Sequence, residues 1–267
     1  MAILTGQTLL DRYRILHPLM HGTYGAVYRA VDLQEGRNVA IKEYLGDSAE
    51  LEYTFRDTVN RLSKINHPQL PAVYDLFVLD EIGHYVVTEY IDGIDLQSLI
   101  DQYTQLPLNI ILPGAQAACL PLAHLHEHHL YHLNVKPTNI RITPDGDIYL
   151  VDFGLPGMTI TRHSRGYAAP EQFSGEISDA CDIFAIGATV YAALTGSAPP
   201  SAKKRIQGDA EIRPIHELNT TVPEYISEVV SRALELDPKA RYRSIESFSR
   251  ALGSHGAATG IEIFANI

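Results

Sequence analysis

Two glycines, a lysine and a spaced set of amides and carboxylates are the residues of this sequence that could do chemistry. Gly22 and Gly25, in Met20-His21-Gly22-Thr23-Tyr24-Gly25-Ala26-Val27, fall between two strand-like segments. Glycines there let backbone N–H groups approach a phosphate, although a plain hairpin uses the same pair equally well. Lys42 closes Val39-Ala40-Ile41-Lys42 on the next strand. His132-Leu133-Asn134-Val135-Lys136-Pro137-Thr138-Asn139 follows, then Asp152-Phe153-Gly154, then Ala169-Pro170-Glu171. A lone lysine or aspartate reads as a solvated surface charge, and only the ordered set asks for more. Histidines crowd the segment 124–132, and His124 and His128 stand at i, i+4, the spacing of a metal pair. No third ligand stands at a convincing interval, so the segment is read without a metal. Cys119 and Cys181 are read as small core residues.

These residues need elements to hold them. Tyr13 to Leu19, Ala26 to Val31 and Asn38 to Tyr44 are strand-like, with glycines between them. Glu50 to Ile65 places Leu51, Phe55, Leu62 and Ile65 on one stripe, with Thr58 midway, which is helical spacing. Val73 to Leu79 and His84 to Tyr90 return to strand character. Beyond Asp92-Gly93 the expected elements are mainly helices: Asp95 to Asp101, Leu108 to His129, Ser178 to Leu194, Pro223 to Leu236 and Ile245 to Leu252. Pro113 and Pro121 should kink the second of these or delay its start. Thr143-Pro144-Asp145-Gly146-Asp147 has the turn chemistry of a small strand pair. A β-rich part, a short joint and a helical part imply two lobes facing a cleft, a natural ligand site.

Composition bounds the function classes. The chain of 267 residues is 45% hydrophobic and 20% charged, which is globular and excludes disorder and collagen. A formal net charge of −11 argues against a general binder of nucleic acid or anionic membrane. Two cysteines cannot build a disulfide framework, so a reducing cytoplasm is expected. No secretory signal pattern opens the sequence. The most apolar stretch, Ile183 to Leu194, is too short to cross a bilayer and reads as a buried core helix.

The five motifs, in this order, resemble the eukaryotic-like Ser/Thr protein kinases common in prokaryotes. The resemblance covers residues 10–252, with an N-lobe over 10–91, a C-lobe over 92–252, and 253–267 as a tail or the start of a linker. Asp182-Ile183-Phe184-Ala185-Ile186-Gly187 is similar to the family's central buried helix. Leu236-Asp237-Pro238 with Arg241 is similar to its C-terminal signature, whose arginine pairs with the glutamate matched by Glu171. The fold implied is α+β, the two-lobed protein kinase fold. The resemblance further implies ATP and Mg2+ as ligands. Gly22, Gly25, Val27 and Ala40 would line the nucleotide, and Lys42 would meet its α- and β-phosphates. Glu89 to Ile91 would face adenine, with Thr88 behind them, and Asp95 would contact the ribose. Asp152 and Asn139 would hold magnesium, and Lys136 would offset charge at the γ-phosphate.

The departures from the pattern decide the expected function. The family's proton-accepting aspartate is matched by Asn134, whose amide oxygen accepts a hydrogen bond but takes no proton near neutral pH. Loss of a general base typically costs ~10²–10⁴-fold in rate. Counting back from His67-Pro68, the helix glutamate that pairs with the strand lysine is matched by Thr58. Asp57 lies about 100° around the helix and does not substitute. Met20 stands for the loop's first glycine. Leu133 stands for the arginine that reads activation-segment phosphorylation, and Ser164 for the threonine near substrate. The leading expectation is a pseudokinase, a signalling module that works through a protein partner and binds ATP and Mg2+ weakly. The alternative is a Ser/Thr kinase of low activity, because phosphoryl transfer asks little of a base. A third reading, nucleotidyl transfer, has no sequence feature behind it.

Overall fold

The structure is a computed structural model, and it describes residues 5–22, 25–45, 49–79, 83–154 and 166–253. The tip of the glycine loop, the segment 155–165 with Ser164, the side chain of Leu51 and the tail 254–267 lie outside the described residues. The chain divides into two units, Met1–Ile91 and Asp92–Ile267.

Among the described residues the N-terminal unit is an antiparallel sheet with one long helix. Its strands are β1 (Thr8–Leu9), β2 (Tyr13–Gly22), β3 (Gly25–Asp32), β4 (Arg37–Tyr44), β5 (Val73–Leu79) and β6 (Gly83–Glu89), in the order β1-β2-β3-β4-β6-β5. Side chains alternate in burial along β3 and β4, as period-two geometry demands. Tyr13, Ile15, Tyr28, Ala30, Val39, Ile41, Tyr85 and Val87 form the core on one face. Glu43 follows the same alternation into this apolar face. Its carboxylate is buried and accepts hydrogen bonds from Tyr85 (2.9 Å) and Tyr28 (3.4 Å). The register sets Val27 opposite Lys42 and Ala40 opposite Thr88, so these four share the other face. At Gly25, φ is +136°, and a Cβ would lie 2.1 Å from the carbonyl oxygen of Glu43, so no other residue fits.

Helix α1 (Ala49–Leu62) ends earlier than the spacing predicts, and Ile65 falls in the turn beyond it. Among its described side chains Phe55, Val59 and Leu62 are buried, and Phe55 stacks on Tyr44 with ring centroids 5.0 Å apart. Thr58 is therefore half-buried beside the stripe and not at its centre, which Val59 occupies. The apolar stripe of i, i+4, i+7 simply continues through Val59.

The C-terminal unit contains β7 (Ile94–Asp95), α2 (Leu96–Tyr103), α3 (Leu108–Glu127), β8 (Ile140–Ile142), β9 (Ile148–Leu150), α4 (Asp179–Thr195), α5 (Ala202–Ile206), α6 (Ile215–Leu218), α7 (Glu224–Ala233) and α8 (Ile245–Gly253). Strands β7, β8 and β9 form a second antiparallel sheet, with the expected turn between β8 and β9. Helix α4 is buried from Cys181 to Leu194. Gly187 lets α7 approach: a Cβ there would lie 2.7 Å from the Cβ of Ala233.

Helix α3 corrects the expectation of a delayed start, because it begins at Leu108. It runs from Leu108 through Pro113 and Pro121 to Glu127. Each proline removes one backbone bond, while Ile111, Ala115, Ala118, Cys119, Leu122 and Leu125 bury against α4 and α8. Tertiary packing overrides the local penalty. Among the described residues α3, and not the Ile183 to Leu194 stretch, is the helix long and apolar enough to cross a membrane. Its packing on α4 and α8 is that of a core helix. Both cysteines are buried, and burial pushes each thiol up to about 12, so neither is a ready thiolate.

Candidate active site

Asp182, in the first turn of α4, organises the loop that carries Asn134. It is fully buried. Its Oδ2 accepts from the backbone N–H of His132 (2.8 Å) and faces His126 Nε2 (2.9 Å), while Oδ1 accepts from the N–H of Leu133 (2.8 Å). Burial alone would raise its pKa. The hydrogen bond and charge of His126, with the charge and backbone N–H of His132, outweigh that and hold the carboxylate below its ordinary range. Burial likewise opposes charge on His126, but Asp182 draws its pKa upward. Leu133 sits at φ +59°, a conformation costly for a branched side chain, and the bond to Asp182 helps hold it there.

The loop is tied to the Asp-Phe-Gly segment at several points. The N–H of Gly154 donates to the carbonyl of His132 (2.9 Å), and the His132 ring packs on Phe153 with centroids 4.7 Å apart. The N–H of Val151 donates to the carbonyl of Asn139 (2.9 Å). Asn139, fully buried, donates from Nδ2 to the carbonyl of Asn134 (2.8 Å), and its backbone N–H donates to the carbonyl of Lys136. Gln172 Nε2 donates to the carbonyl of Leu133 (3.2 Å). Asn134, Lys136, Asn139 and Asp152 are thus brought together, and Lys136 is buried among them at 8% exposure.

Asn134 and Asp152 meet directly. The Asn134 amide donates to the main-chain oxygen of Asp152 (2.9 Å) and to its Oδ2 (2.9 Å). Asp152 has φ +61°. A carboxylate at position 134 has no proton to donate at neutral pH and could make neither bond.

The remaining expected residues belong to other settings. In the N-terminal unit, Glu89 donates its N–H to the carbonyl of Ala72 (2.8 Å), and Ile91 is buried. Lys42 is half-buried on the face it shares with Val27, Ala40 and Thr88, and Gly22 pairs with Gly25 at the end of β2 and β3. Asp95 is the N-cap of α2: its Oδ1 accepts from the N–H (2.9 Å) and hydroxyl (3.1 Å) of Ser98, and Arg141 lies 3.8 Å from Oδ2. A helix cap thus engages the carboxylate expected at a ribose.

Glu171 and Arg241 form the expected pair, bidentate at 2.6 and 2.9 Å and buried on both sides. Arg241 also donates to the carbonyls of Glu235, Ala180 and Leu236. Sequence reasoning missed the part played by Asp182, although a carboxylate set directly against the apolar run of a helix was a usable signal. It also missed Glu127. The spacing of His124 and His128 alone offers no third ligand, yet Glu127 Oε2 lies 3.8 Å from His124 Nδ1 on the same turn of α3.

A fold of a strand-rich N-terminal unit and a helical C-terminal unit, with this loop and its Asp-Phe-Gly partner, defines a protein kinase domain. Residues 13–251 match the protein kinase domain family, and the chain belongs to it. It is 32% identical over 265 residues to the serine/threonine-protein kinase PrkC of Bacillus subtilis, covering 91% of this chain and 40% of that protein. It is 31% identical over 274 residues to the serine/threonine-protein kinase PknA of Mycobacterium tuberculosis, covering 93% of this chain and 62% of that one. The chain therefore spans less than two thirds of either relative. Among solved structures, the kinase domain of Mycobacterium tuberculosis PknI superposes with a TM-score of 0.79 at 23% identity, over 96% of this chain and 100% of that one.

Proposed function

We propose that this kinase domain is a pseudokinase: a kinase-shaped module that acts by binding a protein partner and takes ATP with Mg2+ weakly. The observation that carries the reading is the Asn134 amide donating to Asp152. It replaces a proton acceptor with a donor, and it engages an oxygen of the carboxylate that would hold magnesium. Thr58 adds to this from α1, because a threonine can neither charge-pair with Lys42 nor reach as a glutamate does. Asp152 and Asn139 still supply oxygen ligands suited to Mg2+, and Lys42 and Lys136 still supply cations for phosphates.

The second reading is a Ser/Thr kinase of low activity. It draws support from the relatives named as Ser/Thr kinases and from the retention of Lys42, Lys136, Asn139 and Asp152. Transfer of radiolabelled phosphate from ATP separates the two. The wild-type chain should label neither itself nor generic protein substrates above a Lys42→Met control. Asn134→Asp alone should recover little, Thr58→Glu alone almost nothing, and the pair more than the sum, because base and lysine clamp serve one transition state. Robust labelling by the wild type, abolished by Lys42→Met, would replace the pseudokinase with the kinase.

A further inference from the structure

We propose that the last turn of α3 is a binding site for a divalent transition metal, held by His124, Glu127 and His128. The three residues occupy positions i, i+3 and i+4, so one helix face presents all of them. A ligand atom from each lies within 4.8 Å of the others. Side-chain rotation at the exposed Glu127 can draw the three ligand atoms around one ion; zinc bonds imidazole nitrogen and carboxylate oxygen at ~2.0–2.2 Å.

Two further observations point to a cation. The first is the setting of His128. Its Nδ1 lies 2.8 Å from the carbonyl oxygen of His124. A carbonyl only accepts, so Nδ1 carries the proton and the neutral ring keeps its lone pair on Nε2. Histidines that ligate metals are commonly oriented in this way, with the other ring nitrogen donating to a carbonyl. The second is position. His128 is the C-cap of α3, where the helix dipole presents its negative end. His126, between the ligands in sequence, turns away to Asp182 and takes no part.

The donor set selects the metal. Two imidazoles and a carboxylate suit Zn2+, Ni2+ or Cu2+, whereas Mg2+ and Ca2+ prefer oxygen alone. Three protein donors leave a fourth tetrahedral position for water. The site lies on a different part of the C-terminal unit from Asn139 and Asp152, and its chemistry differs from theirs.

Calorimetric titration of the whole chain with zinc chloride tests this, with His124→Gln, Glu127→Gln, His128→Gln and the triple variant beside the wild type. The substituted side chains lie at the surface or half-buried, and unchanged melting temperatures without metal will verify folding. The expected result is one Zn2+ per chain that the triple variant lacks, with each single variant weakened at least about tenfold. His129→Asn, which suits the positive φ of that neighbour, should bind as the wild type does. A triple variant that keeps the wild-type stoichiometry and affinity, or a wild type that takes up no Zn2+, would overturn the proposal.

Discussion

One amide nitrogen of Asn134 sits 2.9 Å from both the main-chain oxygen and Oδ2 of Asp152. The contact ties the Asp-Phe-Gly segment to the loop of Asn134 through a neutral donor. Asn134→Asp should exchange two hydrogen bonds for two like charges, which oppose each other's ionisation. In metal-free buffer the variant should melt below the wild type. Magnesium with ATP should restore it, by a larger increment than it gives the wild type. Equal melting temperatures and equal responses to magnesium would show that the contact has no influence on the metal position.

Arg241→Ala should be severe. The Glu171 carboxylate would be left buried and unpaired, and three carbonyls would lose a donor. Breaking such a buried pair typically costs ~3–5 kcal/mol. For a domain of this size each kcal/mol moves the melting temperature by about 2–4 °C. Arg243→Ala, at an exposed neighbour, is the control and should change it little. A like shift in both variants would refute the structural weight assigned to the pair.

Asp182→Ala removes the acceptor for the N–H groups of His132 and Leu133. Each buried donor left without a partner typically costs ~1–3 kcal/mol. The loss should be local as well as global: amide hydrogen exchange at His132 and Leu133 should speed up more than at the middle of α4. Asp179→Ala, one turn earlier, should leave those two amides protected.

Acid should act on the N-terminal unit through Asp32. Its side chain is fully buried, and Arg12 donates to it from Nε (2.9 Å) and Nη2 (2.8 Å), joined by the N–H groups of Gln34 and Glu35. The Arg12 hydrogen bond outweighs burial and holds the carboxyl below its ordinary value. A depressed carboxylate contributes stability that is complete above the unfolded value of about 3.9 and is lost as pH falls through the folded one. Asp32→Asn should therefore melt well below the wild type at pH 7, and the gap should narrow as pH falls below about 4. A gap independent of pH would assign the loss to packing instead of charge.

Much of the fold was legible because the signals were local. Period-two alternation marked β3 and β4, and the turn residues at 143–147 marked the β8–β9 hairpin. The Glu171–Arg241 pair followed from motif resemblance and stands in the structure. What misled was also local. Pro113 and Pro121 allowed a delayed start for α3, which begins at Leu108, and the apolar stripe of α1 placed Thr58 where Val59 is buried.

The sequence by itself determined the residue types, an amide at position 134 and a threonine at position 58, and a kinase-like order of motifs. Those facts are covalent and do not depend on packing. Only the tertiary structure decided what each side chain does with its neighbours. Asn134 meets Asp152 across 18 positions, His126 and the loop amides converge on Asp182 across about 50, and Asp95 turns to cap its own helix. A hydrogen bond needs its partners near 3 Å and aligned. When they are distant in sequence, the packing of whole helices and strands brings them within that reach.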